Sequence, residues 1–401
     1  MKNFLFFSAV TAMMFAACSN DDAVPLENPD VAAGQQLVLT LNSGGDGPGT
    51  RVARPVNSSE AQNNVNFVKL YIYNPSGVDV TNTALSAGTQ NPIAWTAGPS
   101  DASVPGTTTH EASQTVKLNK LSGDGTYTVV AYGYNTTPDY TFTGGGPAAD
   151  AFTATLPAST NESEFFAGRN TFEVVSGNIQ SGTNSQVVLR RQVAGLLGYF
   201  KNIPILYPNP VGGLPTVVAS VGVYASNHGT SFTFPNTSLM NGTGNGTKTK
   251  VLDFNLVTLL TNYAAQVTAA GSNLAAVFNI PAPTGGGVAL VPNSVLTGKF
   301  LIPFPKVAST TTFTVQLEDA LGNVLKKWDV VNASATDSKV YDVNRNYFYS
   351  LGQKYKASST DGGTPGTPTS DDDNPIDLSQ ETVITLTVND AWDMIYNLGI
   401  E

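Results

Sequence analysis

Apolar residues in this chain alternate with polar ones over short runs, and glycine or proline breaks each run before a helix of useful length could close. In Gln36-Leu37-Val38-Leu39-Thr40-Leu41, the side chains of Leu37, Leu39 and Leu41 share one face. Val383-Ile384-Thr385-Leu386-Thr387-Val388 repeats the pattern with Ile384, Leu386 and Val388. Successive side chains of a strand point to opposite sides, so both runs read as half-buried strands. Composition agrees: 41% hydrophobic residues fill cores, only 12% are charged, and 38 Gly with 24 Pro supply frequent turns. The expected fold class is all-β.

At 401 residues the chain exceeds one ordinary sandwich, which predicts two packed domains. Strand-like runs at Val65 to Tyr73, Gln114 to Leu118, Thr126 to Tyr134 and Thr171 to Val175 place the first domain at 52–185. A second series opens with Ser185 to Ala194, continues through Val217 to Ala225 and Phe300 to Phe304, and places the second domain at 186–355. Within it, Thr311 to Leu317 and Val324 to Val330 flank Leu321-Gly322-Asn323 as a hairpin, and Val251 to Ala276 has room for a short helix. Lys356 to Pro375 is low in complexity and acidic at Asp371 to Asp373, so 356–379 reads as a flexible linker; 380–401 form a tail that begins with a strand.

The N-terminus reads as an export signal over 1–17, with Lys2 before an apolar run from Phe4 to Phe15 that is too short to span a bilayer. Phe15-Ala16-Ala17-Cys18 resembles a lipobox, in which cleavage before the sole cysteine leaves its thiol to take a diacylglyceryl group. Residues 18–51 then hold a lipidated tether, the first strand and the loop Asn42 to Thr50. No Lys or Arg occurs between Asn3 and Thr50, so a trypsin-like protease meets its first bond between Arg51 and Val52. Arg54 is a poorer site because Pro55 follows it.

A net charge of −10 disfavours nucleic acid as a partner. Only His110 and His228 are present, both in turn-like contexts that read as surface loops, which leaves little for a triad or a zinc site. Gly242 to Thr249 lacks the spacing of a phosphate loop and reads as a flexible turn. No catalytic residue, cofactor or metal is expected.

Set side by side, Leu37-Val38-Leu39-Thr40-Leu41-Asn42 and Ile384-Thr385-Leu386-Thr387-Val388-Asn389 share Leu39/Leu386, Thr40/Thr387 and Asn42/Asn389 and keep the apolar face. A groove shaped for the first should accept the second. Cleavage after Arg51 would free the first strand, and the tail strand of another copy, with Trp392 adding contacts, would fill the groove by β-augmentation. Repeated head to tail, that contact builds an open filament.

The lipobox at Cys18, the strand and loop ending at Arg51, Arg190-Arg191-Gln192-Val193-Ala194, Asn344-Arg345-Asn346-Tyr347-Phe348-Tyr349 and the tail bearing Trp392 occur in the order found in type V pilus fimbrillins of the Bacteroidales, and the chain is similar to their major shaft subunits. Ser19-Asn20-Asp21-Asp22 resembles the acidic segment that routes lipoproteins to the surface of such bacteria. The resemblance implies two transthyretin-like β-sandwich domains with a displaceable first strand (Leu37 to Leu41) and a donor strand (Val383 to Val388). It also implies an outer-membrane lipoprotein precursor, an arginine-specific processing protease acting at Arg51, and partners that are other copies of the chain together with anchor and tip subunits. The rivals are a surface glycan-binding lipoprotein, in which Trp95, Trp328 and nearby tyrosines stack on sugar rings, and an accessory subunit at the anchor or tip.

Overall fold

Turns rich in Gly and Asn divide the chain into short strands, and alternating side chains bury one face of most of them. The computed structural model describes residues 35–42, 65–95, 113–135, 139–158, 160–209, 212–236, 238–281, 290–353 and 374–389. All of them fall in one unit that begins at Gln35.

The first half carries β1 (Gln35–Asn42), β2 (Phe67–Tyr73), α1 (Thr81–Ala84), β3 (Ile93–Ala94), β4 (Ser113–Leu118) and β5 (Gly125–Tyr134). It continues through β6 (Thr141–Gly144), β7 (Phe152–Thr155), β8 (Phe166–Val175), β9 (Asn178–Ile179) and β10 (Gln186–Arg191). The second half begins with β11 (Ala194–Lys201), β12 (Leu206–Tyr207), β13 (Thr216–Val217), β14 (Ser220–Ala225), β15 (Ser231–Phe234), β16 (Gly242–Thr243) and β17 (Thr249–Asn255). Then follow α2 (Leu256–Leu259), α3 (Tyr263–Ala270), β18 (Ser294–Leu301), β19 (Phe313–Glu318), β20 (Val324–Asn332), β21 (Phe348–Leu351), β22 (Ile376–Asp377) and β23 (Ile384–Asn389). Among the described residues the protein is all-β apart from three short helices, of which α2 and α3 both fall inside the segment expected to hold one.

The first sheet runs β3-β2-β5-β8-β10-β1-β4 and curls around a core that includes Leu39, Leu70, Val129, Phe172 and Leu189. The second runs β17-β14-β19-β20-β23-β21-β11-β18 around Phe200, Val223, Phe254, Val315 and Trp328. Strand β10, expected to open the second domain after residue 185, pairs instead with β1 and β8 in the first sheet. Val187 and Leu189 point into the first core, and the chain changes sheet between Arg191 and Ala194. Strand β11 is then buried on both faces, which explains why its apolar run shows no alternation.

A third sheet, β16-β15-β7-β6, draws two strands from each half. It covers the outer face of the first sheet with aromatic rings: Phe234 meets Tyr132 edge-on at 5.2 Å and Phe165 at 4.9 Å between centroids. The two β-sandwich halves are thereby joined, because β15 pairs with β7 along four positions across them.

Buried charges reinforce that joint. Arg191 is 1% exposed and donates to Glu164 at 2.7 Å, while Arg345 donates to the Arg191 carbonyl at 3.1 Å and to the Ser238 carbonyl at 2.7 Å. Asn346 accepts from Arg191 and donates its backbone N–H to Val193. The segments Arg190 to Ala194 and Asn344 to Tyr349, far apart in sequence, thus meet at the change of sheet. His228, expected on a surface loop, is 6% exposed because Glu162 and Phe304 pack against it. The Glu162 carboxylate lies 2.8 Å from His228 Nε2 and 2.7 Å from Lys299 Nζ.

Burial pushes the Glu162 carboxyl up, but His228 and Lys299 outweigh it and hold the group below its ordinary value of 4.5. A depressed carboxyl adds stability above that ordinary value, and the contribution is lost as pH falls through the folded value. Glu162→Gln should therefore melt earlier than wild type at neutral pH and lose less on acidification below 4.5. Thermal unfolding of both proteins across that pH range checks this.

Candidate functional site

Strand β1 lies between two neighbours that come from distant parts of the chain. It pairs antiparallel with β4 over six positions, Gln35 to Thr40, and parallel with β10 over five, Val38 to Asn42. Leu37 and Leu39 are fully buried and Leu41 is 6% exposed, as the alternation predicts. Polar side chains fasten both ends. Gln35 donates to the Gly177 carbonyl at 2.7 Å and accepts from the Ile179 N–H at 2.8 Å, while Gln186 donates to Thr40 Oγ1 at 2.7 Å.

Strand β23, expected as a tail left for another copy, is seated in the chain's own second sheet. It lies between β20, parallel over three positions, and β21, antiparallel over four. Ile384 is fully buried, Leu386 is 3% exposed and Val388 is half-buried. The apolar face is the reason: an alternating strand beside an open slot in its own domain reaches that slot first. The expected linker also ends early, since β22 pairs with β11 and Leu378 is fully buried. The Trp328 indole N–H donates to the Glu381 carbonyl at 2.9 Å and holds the approach to β23.

The two seats are alike in a way that their sequences only half disclosed. Each strand has one parallel and one antiparallel neighbour. Thr387, the counterpart of Thr40, likewise accepts a hydrogen bond from a glutamine amide, Gln353 Nε2 at 3.0 Å. Nothing in the sequence marks Gln35, Gln186 or Gln353 as fastenings, because long-range side-chain bonds leave no local pattern.

Cys18, Arg51, Val52 and Trp392 lie outside the described residues, as do His110 and Asp371 to Asp373. Trp95 and Trp328, the candidates for sugar stacking, are 4% and 2% exposed and belong to the two cores.

No protein-family model and no curated protein matches the chain. Among solved structures, a fimbrilin from Porphyromonas gingivalis is similar with a TM-score of 0.38 at 10% identity, covering 88% of this chain and 97% of that one. The fimbrial anchor protein Mfa2 from the same organism gives 0.31 at 12% identity, covering 79% of this chain and 90% of that one. A fimbrial assembly protein from Parabacteroides distasonis gives 0.31 at 12%, covering 82% and 93%.

Truncating the buried face tests both seats. Leu39→Ala and Leu386→Ala should each destabilise the uncleaved protein by about 2 to 5 kcal/mol, whereas the exposed Thr385→Ala should change stability by no more than about 0.5 kcal/mol. Urea unfolding of the three variants measures these differences.

Proposed function

We propose that the chain is a structural subunit of a surface fimbria, exported as a lipoprotein on Cys18, cut after Arg51 and polymerised by strand exchange. One observation carries the reading: the slot of β1 is of the same kind as the seat of β23 but pairs over more positions, six and five against four and three. A tail strand that leaves its own seat for an emptied β1 slot thereby trades a shorter ladder for a longer one.

The physical sequence follows from that inequality. While β1 is in place, its slot is closed and the tail stays at home. Cutting between Arg51 and Val52 severs β1 from the rest of the fold, and its departure exposes the edges of β4 and β10 above an apolar groove. Refilling the groove buries branched side chains worth about 1.5 to 3 kcal/mol each, and every ladder bond adds about 0.5 to 1.5 kcal/mol. Ile384, Leu386 and Val388 occupy the positions of Leu37, Leu39 and Leu41, so the incoming strand meets the groove in register. Each subunit would take one tail and offer one, which extends the shaft.

The partners are then other copies of the chain, anchor and tip subunits at the ends, an arginine-specific protease, and the outer membrane through the lipid before maturation. The protein would reside on the cell surface. Burial of Trp95 and Trp328 removes the aromatic platform that favoured the rival glycan-binding reading.

Cleavage of the purified precursor with an arginine-specific protease should convert monomer into a ladder of oligomers, read by size-exclusion chromatography and unheated gel electrophoresis. Arg51→Ala should remain monomeric, and a peptide spanning 380–401 should bind the cut protein and stop its growth while ignoring the uncut one. A cut, full-tailed protein that stays monomeric at high concentration and does not bind the peptide would overturn the proposal.

A further inference from the structure

Strands β14, β19 and β20 and the loop before β17 surround an open cavity of about 400 Å³ on the second sheet. That volume lies within the range of small-molecule sites, roughly 300 to 1,000 Å³. One wall comes from the glycine-rich segment Gly242 to Thr249, which is packed rather than loose. A Cβ on Gly242 would stand 1.6 Å from the Pro303 carbonyl, one on Gly244 would stand 2.1 Å from the Asn227 amide, and Asn227 Oδ1 accepts from Gly246 N at 2.7 Å. This segment presents Lys248 to the cavity.

Charge at the cavity is unbalanced. Lys248 Nζ sits 4.3 Å from the Tyr224 ring centroid and makes no ion pair among the described residues. Burial and then repulsion by Lys327 hold its ammonium below the usual lysine range. Glu318 is already engaged by Ser220, Tyr224 and Lys250, the last at 2.7 Å. Lys327 shares Asp329 with Lys339, at 3.5 and 2.9 Å respectively. One positive charge is left over.

Hydroxyl groups line the remainder. Thr310, Thr311 and Thr314 come from the turn before β19 and from that strand, and Ser226 from the end of β14. Ser226 Oγ is buried with no hydrogen-bond partner among the described residues, an unfavourable state that an entering polar group would relieve. The adjoining Ser309 holds φ at 62°, a left-handed conformation that persists in a non-glycine residue where its surroundings over-determine it.

We infer that this cavity binds a singly charged acidic sugar, with its carboxylate between Lys248 and Lys327 and its hydroxyls on the serine and threonine side chains. A bare phosphate or sulfate asks for donors alone, and a dianion exceeds the single surplus charge. Side-chain hydroxyls both donate and accept, which matches the vicinal hydroxyls of a saccharide. The Tyr224 ring is held in place by its hydrogen bond to Glu318 and lies over Gly222, where a Cβ would come within 2.8 Å of it.

The test uses uncleaved full-length protein, so its outcome does not depend on assembly. Calorimetric titration at low salt with D-glucuronate, D-glucose and sodium sulfate distinguishes a sugar acid from a neutral sugar and from an anion. Glucuronate should bind saturably and at least about tenfold more tightly than either of the others, and Lys248→Ala should weaken it about tenfold or more, as expected for loss of a charged hydrogen bond. Lys327→Ala should weaken it in the same direction, with both variants keeping the wild-type melting temperature. No saturable binding at tens of millimolar, sulfate binding as tightly as glucuronate, or unchanged affinity in both variants would each overturn the inference.

Discussion

The first half of the molecule depends on a single strand being laid between two others. Strand β4 has β1 as its ladder partner, and β10 otherwise pairs with β8 at only Arg190 and Arg191. Remove β1 and two strands lose most of their backbone bonds at once, while Leu70, Val116, Val187 and Leu189 lose the leucines that complete their core. Unpaired buried backbone groups and an open apolar face are both costly, and one strand resolves both. A strand with this much to hold is also a strand whose identity matters less than its pattern. Any segment presenting branched residues at every second position and a free backbone meets the same demand.

That demand also places the tail. Within one chain there are two seats and two strands, so neither strand is idle. Exchange of the tail would therefore be driven by a difference between seats and not by a spare strand waiting for a vacancy. Such a difference is small beside the total burial, which would suit the proposed subunit, folded before any cut and exchanging strands only after it.

Much of this was legible from the sequence, and what was missed has physical causes. The alternation of Leu37 to Leu41 and of Ile384 to Val388 gave the strands, their buried faces and their likeness, because period-two burial is written residue by residue. The Leu321-Gly322-Asn323 turn between β19 and β20 was visible for the same reason. Strand β11 was hidden inside a continuous apolar run, since a strand covered on both faces has no alternation to show. The placement of β10, the shared third sheet and the burial of His228 beside Glu162 were invisible, because each is decided by pairing across long stretches of chain. Histidine in a turn-rich segment reads as exposed until its carboxylate is found elsewhere in the fold. The glycine-rich segment leading into β17 misled in the opposite direction: Gly242 and Gly244 answer close approach by Pro303 and Asn227, and only Gly246 stands in open space at positive φ.

The third sheet has a mechanical consequence. Its β7 and β15 come from opposite halves of the chain and run antiparallel side by side, joined along four positions and backed by stacked rings of Phe152 and Phe234. A subunit stretched end to end cannot bend open at a waist between its halves without sliding these strands past each other. In a thread of such units, should they assemble as proposed, this joint would make the two halves of each unit move together.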